Sequence, residues 1–277
     1  MYECGGRMKK VVCIVLVVFI ALAIVIVGCA KKEKAPKQEA AEGEVIVKIY
    51  HTQHVPFSMI LSDLATLDGV NFNSVLKNRV KPDPKTLPQV AFDLGADVGD
   101  ALIAVKAKNK DTLLDITKEL VNYAEILNVS DEFLKLSDSL KILLDDNDWK
   151  KVEAKIEEYE SDVTDELYQL ENFDSVILIQ FGGWIRGLEN ASFLIMNNFT
   201  GSQITSILAN KSVVNALLHD LPNISDQELL SKQYYQNSIM DVSKIKDIIY
   251  SSEDQTYSKM QVQELNKLSA QIVNSFK

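Results

Sequence analysis

The sequence predicts an all-α protein, a multi-helix bundle of about seven to eight helices with one central helix buried nearly all round. Three observations predict it. From residue 86 onward, apolar residues recur at steps of three and four, the period of an amphipathic helix. Ser, Thr and Asp stand just ahead of several of these stripes, where a side-chain oxygen accepts from the free amides of a first helical turn. No glycine occurs after Gly201, which fits uninterrupted helix in the rest of the chain.

The elements follow in order. Residues 45–50 read as a short extended arm, and residues 56–79 as an amphipathic stretch interrupted near Gly69. Lys81-Pro82-Asp83-Pro84-Lys85-Thr86-Leu87-Pro88 is a proline-rich elbow. Thr86 and Gln89 have the spacing of a capping box and open a helix to about Lys106. Leu113, Ile116, Leu120, Ala124 and Leu127 form the next stripe. Ser130 is placed to cap a helix carrying Phe133, Leu136, Leu140 and Leu143. Asp148 caps a longer one, with Trp149, Val152, Ile156, Tyr159, Val163, Leu167 and Leu170 on one face and glutamates off it.

Residues 174–199 leave few polar positions, so this is the helix expected to be buried all round, ended by Gly201. Three more helices are expected: 203–219, stopped by Pro222; 226–250, opened by a Ser225/Glu228 capping box; and 253–275, opened by Ser252/Gln255.

The residues that stand out lie in two of these helices. Asp93, Asp97 and Asp100, at i, i+4 and i+7, make one acidic stripe, expected to be solvated or salt-bridged. Gly95 and Gly99 are a small-xxx-small pair on another face, and Gly183 and Gly187 repeat that pair in the apolar helix. Glycine inside a helix costs about 0.5–1 kcal/mol relative to alanine, so close approach of neighbouring backbones is the expected reason for these four and for Gly182 beside them. Arg186 is one of two arginines after residue 28, with Arg79, against 24 lysines. In so apolar a helix it needs a partner, and Glu189 at i+3 or Asp97 can supply one. Two readings stay open: a buried ion-pair cluster that fixes helix register, or a crevice walled by Trp184 in which Arg186 meets an anionic ligand or a partner's carboxylate.

Other chemistry is not legible. There is no nucleotide-binding glycine loop, no GxSxG, no HExxH and no CxxC. Asp146, Asp148 and Glu157 approach a calcium-loop spacing, but Lys150 and Lys151 stand where a ligand and the required glycine belong. His51 and His54, three apart, read as surface histidines of the arm. No catalytic residue, metal or cofactor is expected.

The N-terminus is more specific. Lys9 and Lys10 precede an apolar run from Val11 that closes on Ile26-Val27-Gly28-Cys29. A basic region, an apolar region and small residues before a cleavage point make a secretory signal. The cysteine at its end resembles the lipobox of bacterial lipoproteins. That resemblance implies a signal peptide over residues 1–28, cleavage before a lipidated Cys29, a flexible tether over 29–44, and an extracytoplasmic helical domain over 45–277. It also implies lipid anchoring to a membrane, and Ala30, which is not the inner-membrane retention aspartate, points to an outer membrane facing the periplasm. The alternative is an uncleaved transmembrane anchor, since about 17–25 apolar residues span a bilayer.

Cys4, Cys13 and Cys29 are the chain's cysteines, so the domain has no disulfide and no thiol chemistry. The chain has 29 basic and 39 acidic residues, a net −10. Without residues 1–28, which include Arg7, Lys9, Lys10 and Glu3, it has 26 and 38, a net −12. That balance disfavours nucleic acid as a partner. The functional expectation is a non-enzymatic, membrane-tethered protein-binding or scaffolding module. The alternative is a ligand-sensing or solute-binding lipoprotein with its pocket near Asp97, Trp184 and Arg186.

Overall fold

The computed structural model describes residues 64–65, 69–77, 79, 81–129 and 135–277. The signal segment, Cys29, the tether, the arm with His51 and His54, and the Ser130 cap with Phe133 lie outside the described residues. Within them are eight α-helices of 10 to 25 residues and no strand. These are α1 (Leu87–Lys106), α2 (Lys110–Ile126), α3 (Leu136–Asp145), α4 (Trp149–Gln169), α5 (Phe173–Asn197), α6 (Lys211–Asp220), α7 (Gln233–Tyr250) and α8 (Lys259–Ser275). None is long and apolar enough to cross a membrane.

Local chemistry sets most of the boundaries. Thr86 is extended and accepts from the Gln89 amide, while the Gln89 side chain accepts from the Thr86 amide, with Pro88 in the first turn. Three connections share one device. Lys108, Asn147 and Glu171 adopt left-handed φ of 52°, 58° and 57°. The amide after each then returns to a carbonyl of the last turn: Asn109 to Ala104, Asp148 to Leu143, Asn172 to Leu167. That same Asn109, Asp148 or Asn172 side chain accepts from the third residue onward and so caps the next helix. Each link is thus three residues long and joins the stop of one helix to the start of another.

The C-terminal half departs from the sequence reading at three places. The expected helix 203–219 is a 3-10 stretch, Ser202–Leu208, followed by α6, because the Asn210 side chain caps at Val213 and restarts the chain. The expected helix 226–250 is a short Gln227–Ser231 turn, a break at extended Lys232, and then α7. Its cap is Asp226, not Ser225, whose amide and hydroxyl are both held by the Asp174 carboxylate of α5. The last helix starts at Lys259, not 253. Ser258 and Gln261 form its capping box, whereas Asp254 folds Ser252 and Thr256 into a turn and Gln255 is left-handed at 58°.

The core is organised around α5 as expected, but α1 equals it: every residue from Val90 to Val105 is buried. α1 packs against α5, with α2 and α4 on its flanks, while α8 lies along α5 and α7 along α8. Gly95 and Gly182 bring α1 and α5 together. A Cβ at Gly95 would lie 1.8 Å from the Ile179 carbonyl oxygen, and one at Gly182 would lie 1.9 Å from that of Phe92. At one end, Phe92 stacks on Phe276 (4.0 Å between centroids, 11° between planes), with Phe181 edge-on to both.

Candidate functional site

The α1–α5 contact is apolar and glycine-lined along one side and ionic along the other. Asp93, Asp97 and Asp100 are 1 %, 1 % and 3 % exposed, so the acidic stripe is not solvated and its charges need partners. Two arginines meet it from opposite directions. Arg186 of α5 donates from Nε to Asp100 Oδ1 (2.8 Å) and from Nη2 to Oδ2 (3.1 Å), a two-pronged pair. Its Nη1 donates to Glu189 Oε2 at 2.6 Å. Arg79, from the segment before α1, donates from Nε to Asp100 Oδ2 (3.2 Å) and from Nη2 to Asp97 Oδ1 (2.7 Å) and to Glu119 of α2.

Asp100 is the hub. Asn190 adds a further bond to its Oδ1 at 3.0 Å, so both oxygens are doubly served. Burial pushes its carboxyl up, but Arg186, Arg79 and Asn190 together outweigh burial and hold it below the usual carboxylate range. Burial likewise pushes Glu119 up, and the hydrogen bond and charge of Arg79 with the hydrogen bond of Lys81 bring it below its ordinary value. Asp97 goes the other way: burial dominates, and its carboxyl is raised well above the usual range despite Arg79. Asp93, with no arginine on it, is pushed by burial up to about 7. Burial pulls both guanidinium groups down, and the facing carboxylates more than restore them, so both stay charged.

The structure brings together Asp97, Asp100, Arg186 and Glu189, with Asp93 one turn along α1. It does not bring Asp97 to Arg186; Asp97 belongs to Arg79. Trp184 is absent from the cluster. It stands two residues from Arg186, about 200° around the helix, and so faces away from α1. Arg186 is held by Asp100 and Glu189, and Arg79 and Asn190 bind the same Asp100 carboxylate. The glycines separate similarly. Gly95 is in backbone contact, and a Cβ at Gly183 would lie 3.3 Å from the Gly95 oxygen, but one at Gly99 would find nothing nearer than 3.8 Å. Gly187 is buried in α5.

Sequence reasoning left Arg79 and Glu119 out of the cluster, whereas Gly182 is in the close backbone contact expected of it. For Arg79 the signal was present: beyond residue 28 the chain uses lysine almost everywhere and keeps arginine for two positions, and both enter one buried network. Arginine's planar fork suits buried carboxylates better than an ammonium does. Glu119 gave none, since α2 reads as an ordinary amphipathic helix.

Elsewhere, α7 and α8 flank a cleft of about 430 Å³ lined by Tyr234, Asp241, Lys244, Gln271 and Ile272, with Ser238 and Ser275 hydroxyls 3.2 Å apart. Among the described residues no group of three His, Cys, Asp or Glu is arranged to hold a metal ion. In comparisons with protein-family models, curated proteins and solved structures, nothing matches this chain.

Proposed function

We propose that this protein is a lipid-anchored extracytoplasmic lipoprotein whose helical body acts, without catalysis, as a protein-binding or scaffolding module. The anchor rests on the signal ending at Cys29 and the charged tether after it. The observation that favours a scaffold over a ligand receptor at the polar centre is that the centre is closed on itself. Arg79 and Arg186, the arginines that an anionic ligand would seek, are already held by Asp97, Asp100, Glu119 and Glu189. A body with net charge −12 is also unsuited to nucleic acid.

The test is a Cys29→Ser variant labelled in cells with a clickable fatty acid. Wild type should take up label and fractionate with membrane, the outer membrane where two are present, and the variant should do neither. Equal labelling of both would overturn the lipoprotein reading. Membrane retention of an unlabelled, larger protein would support the transmembrane anchor instead.

A second reading, solute binding, is favoured by the α7/α8 cleft, whose volume lies in the range of small-molecule sites, roughly 300–1,000 Å³. A thermal-shift screen of small polar solutes, repeated on Lys244→Ala, tests it: a shift lost in the variant supports the reading, and no shift removes it.

A further inference from the structure

We propose that Asp97 and Glu119 share a proton beneath Arg79, forming a buried proton-binding site that ties the docking of the segment before α1 to pH. The argument begins with acceptors and donors. Arg79 Nη2 touches both carboxylates at once, Asp97 through Oδ1 and Glu119 through Oε2. Lys81 Nζ lies 3.0 Å from Glu119 Oε1, so both Glu119 oxygens are served. Asp97 Oδ2 is different: it is fully buried and no donor reaches it. A bare carboxylate oxygen in that position would be an uncompensated buried acceptor. A proton on Asp97 removes that uncompensated charge, and the Asp97 and Glu119 carboxyls converge on the same guanidinium nitrogen, where one proton can serve both.

Charge counting agrees. The groups around Asp97 are Asp100, with Asp93 one turn along, on its own helix, Glu119 and Tyr123 on α2, and Arg79, with Lys81 on Glu119, from the segment before α1. Through Asp100 the same network continues to Arg186 and Glu189 on α5, and Lys277 lies next to Asp93. Burial keeps the Tyr123 phenol protonated. The connected ion pairs therefore join four carboxyls, Asp97, Asp100, Glu119 and Glu189, to three cations, Arg79, Lys81 and Arg186. The surplus is one, and Asp97 is the carboxyl of this network with a buried, unserved oxygen. Two like charges so close cannot both be comfortably ionised.

Losing that proton leaves a charge on a fully buried oxygen that no donor serves and that water alone can relieve, so opening of the segment over Asp97 becomes easier as pH rises. The consequence is open to direct measurement, because only Arg79 and Arg186 follow residue 28 as arginines and Arg186 is buried in α5.

The experiment uses the full-length chain in detergent. An arginine-specific protease is applied from pH 6 to pH 9, with cleavage after Arg79 normalised to a free peptide at each pH. In wild type the normalised cleavage should rise several-fold across the range. In Asp97→Asn, whose amide keeps the donor to Glu119 and carries no charge, the rise should disappear and the denaturant midpoint at pH 7 should match wild type. Asp100→Asn should lower that midpoint markedly. Infrared spectra recorded in the Asp93→Asn background should show a protonated carboxylic acid at pH 7 that Asp97→Asn removes. Flat wild-type cleavage, no such acid band, or a midpoint of Asp97→Asn that falls as far as that of Asp100→Asn would each overturn the proposal. If Asp97→Asn does not fold, the acid band and the wild-type cleavage profile still decide it.

Discussion

Gly95 faces the Ile179 carbonyl so closely that a methyl group on it would sit 1.8 Å from the oxygen. The obstacle is backbone, which cannot rotate away as a side chain can. Gly95→Ala should therefore force α1 and α5 apart and cost at or beyond the upper end of the about 1–3 kcal/mol typical of overpacking. Gly182→Ala, whose methyl would strike the Phe92 carbonyl at 1.9 Å, should behave alike. Gly99→Ala is the control: its nearest neighbours are at 3.8 Å, and alanine's helix preference should leave it neutral or stabilise it by up to about 1 kcal/mol. Denaturant midpoints of the three variants check this ordering; a harmless Gly95→Ala would contradict the contact.

Arg186→Ala should destabilise by about 3–5 kcal/mol, because it strands the Asp100 carboxylate in a buried site. Arg186→Lys should recover only part of that loss, since an ammonium cannot make the paired bonds to both oxygens. Replacing both partners with apolar residues should cost less than Arg186→Ala alone. Equilibrium melts at fixed pH provide the comparison.

Stability should fall as pH rises from about 4 to about 7. Asp93 ionises near its ordinary value of about 3.9 when unfolded, but near 7 in the fold, where burial holds it up. Between those values the folded state binds more protons, so its contribution is complete below the unfolded value and lost through the folded one. Asp97 adds to the same trend. Asp100 and Glu119, both lowered, act oppositely, and their contribution disappears only as pH drops below about 4. The melting temperature should peak near pH 4, and Asp93→Asn should flatten its decline toward pH 8.

Glu171→Gly should stabilise the protein, by up to about 1 kcal/mol. At φ 57° glutamate bears the left-handed penalty of about 1–2 kcal/mol, which exceeds glycine's extra chain entropy of about 0.5–1 kcal/mol. A melting temperature that falls instead would show that the Glu171 side chain contributes more than its backbone costs.

Where a local signal was unambiguous, the sequence reading and the structure agree: Thr86 with Gln89, Asp148 ahead of α4, the apolar run of α5. Where two signals competed, it failed. Ser252-Glu253-Asp254-Gln255 and Ser258-Lys259-Met260-Gln261 both fit a capping box. What separates them is Val262 and Leu265, which give the second box an apolar face to follow, and Asp254, which offers Ser252 and Thr256 a rival turn. Treating glycine as the main helix stop hid the breaks near Asn210 and Lys232, where a side-chain cap and an extended residue interrupt the chain. The polar side of the α1–α5 contact was half legible. Arginine scarcity marked Arg186 and in principle Arg79, but which aspartate each takes depends on helix rotation, which no pairwise spacing along the chain encodes. The three aspartates also disguised α1 as a surface helix, so its burial was missed.

Phe92 and Phe276 stack face to face at the centre of one end of the bundle. A ribosome makes the first of these rings long before the second. Until the later one emerges, the earlier ring has no lid, and α5 cannot seal that end by itself. The nascent chain is thereby kept open, with its most apolar helix exposed to chaperones and aggregation partners alike, and final closure comes as one late event.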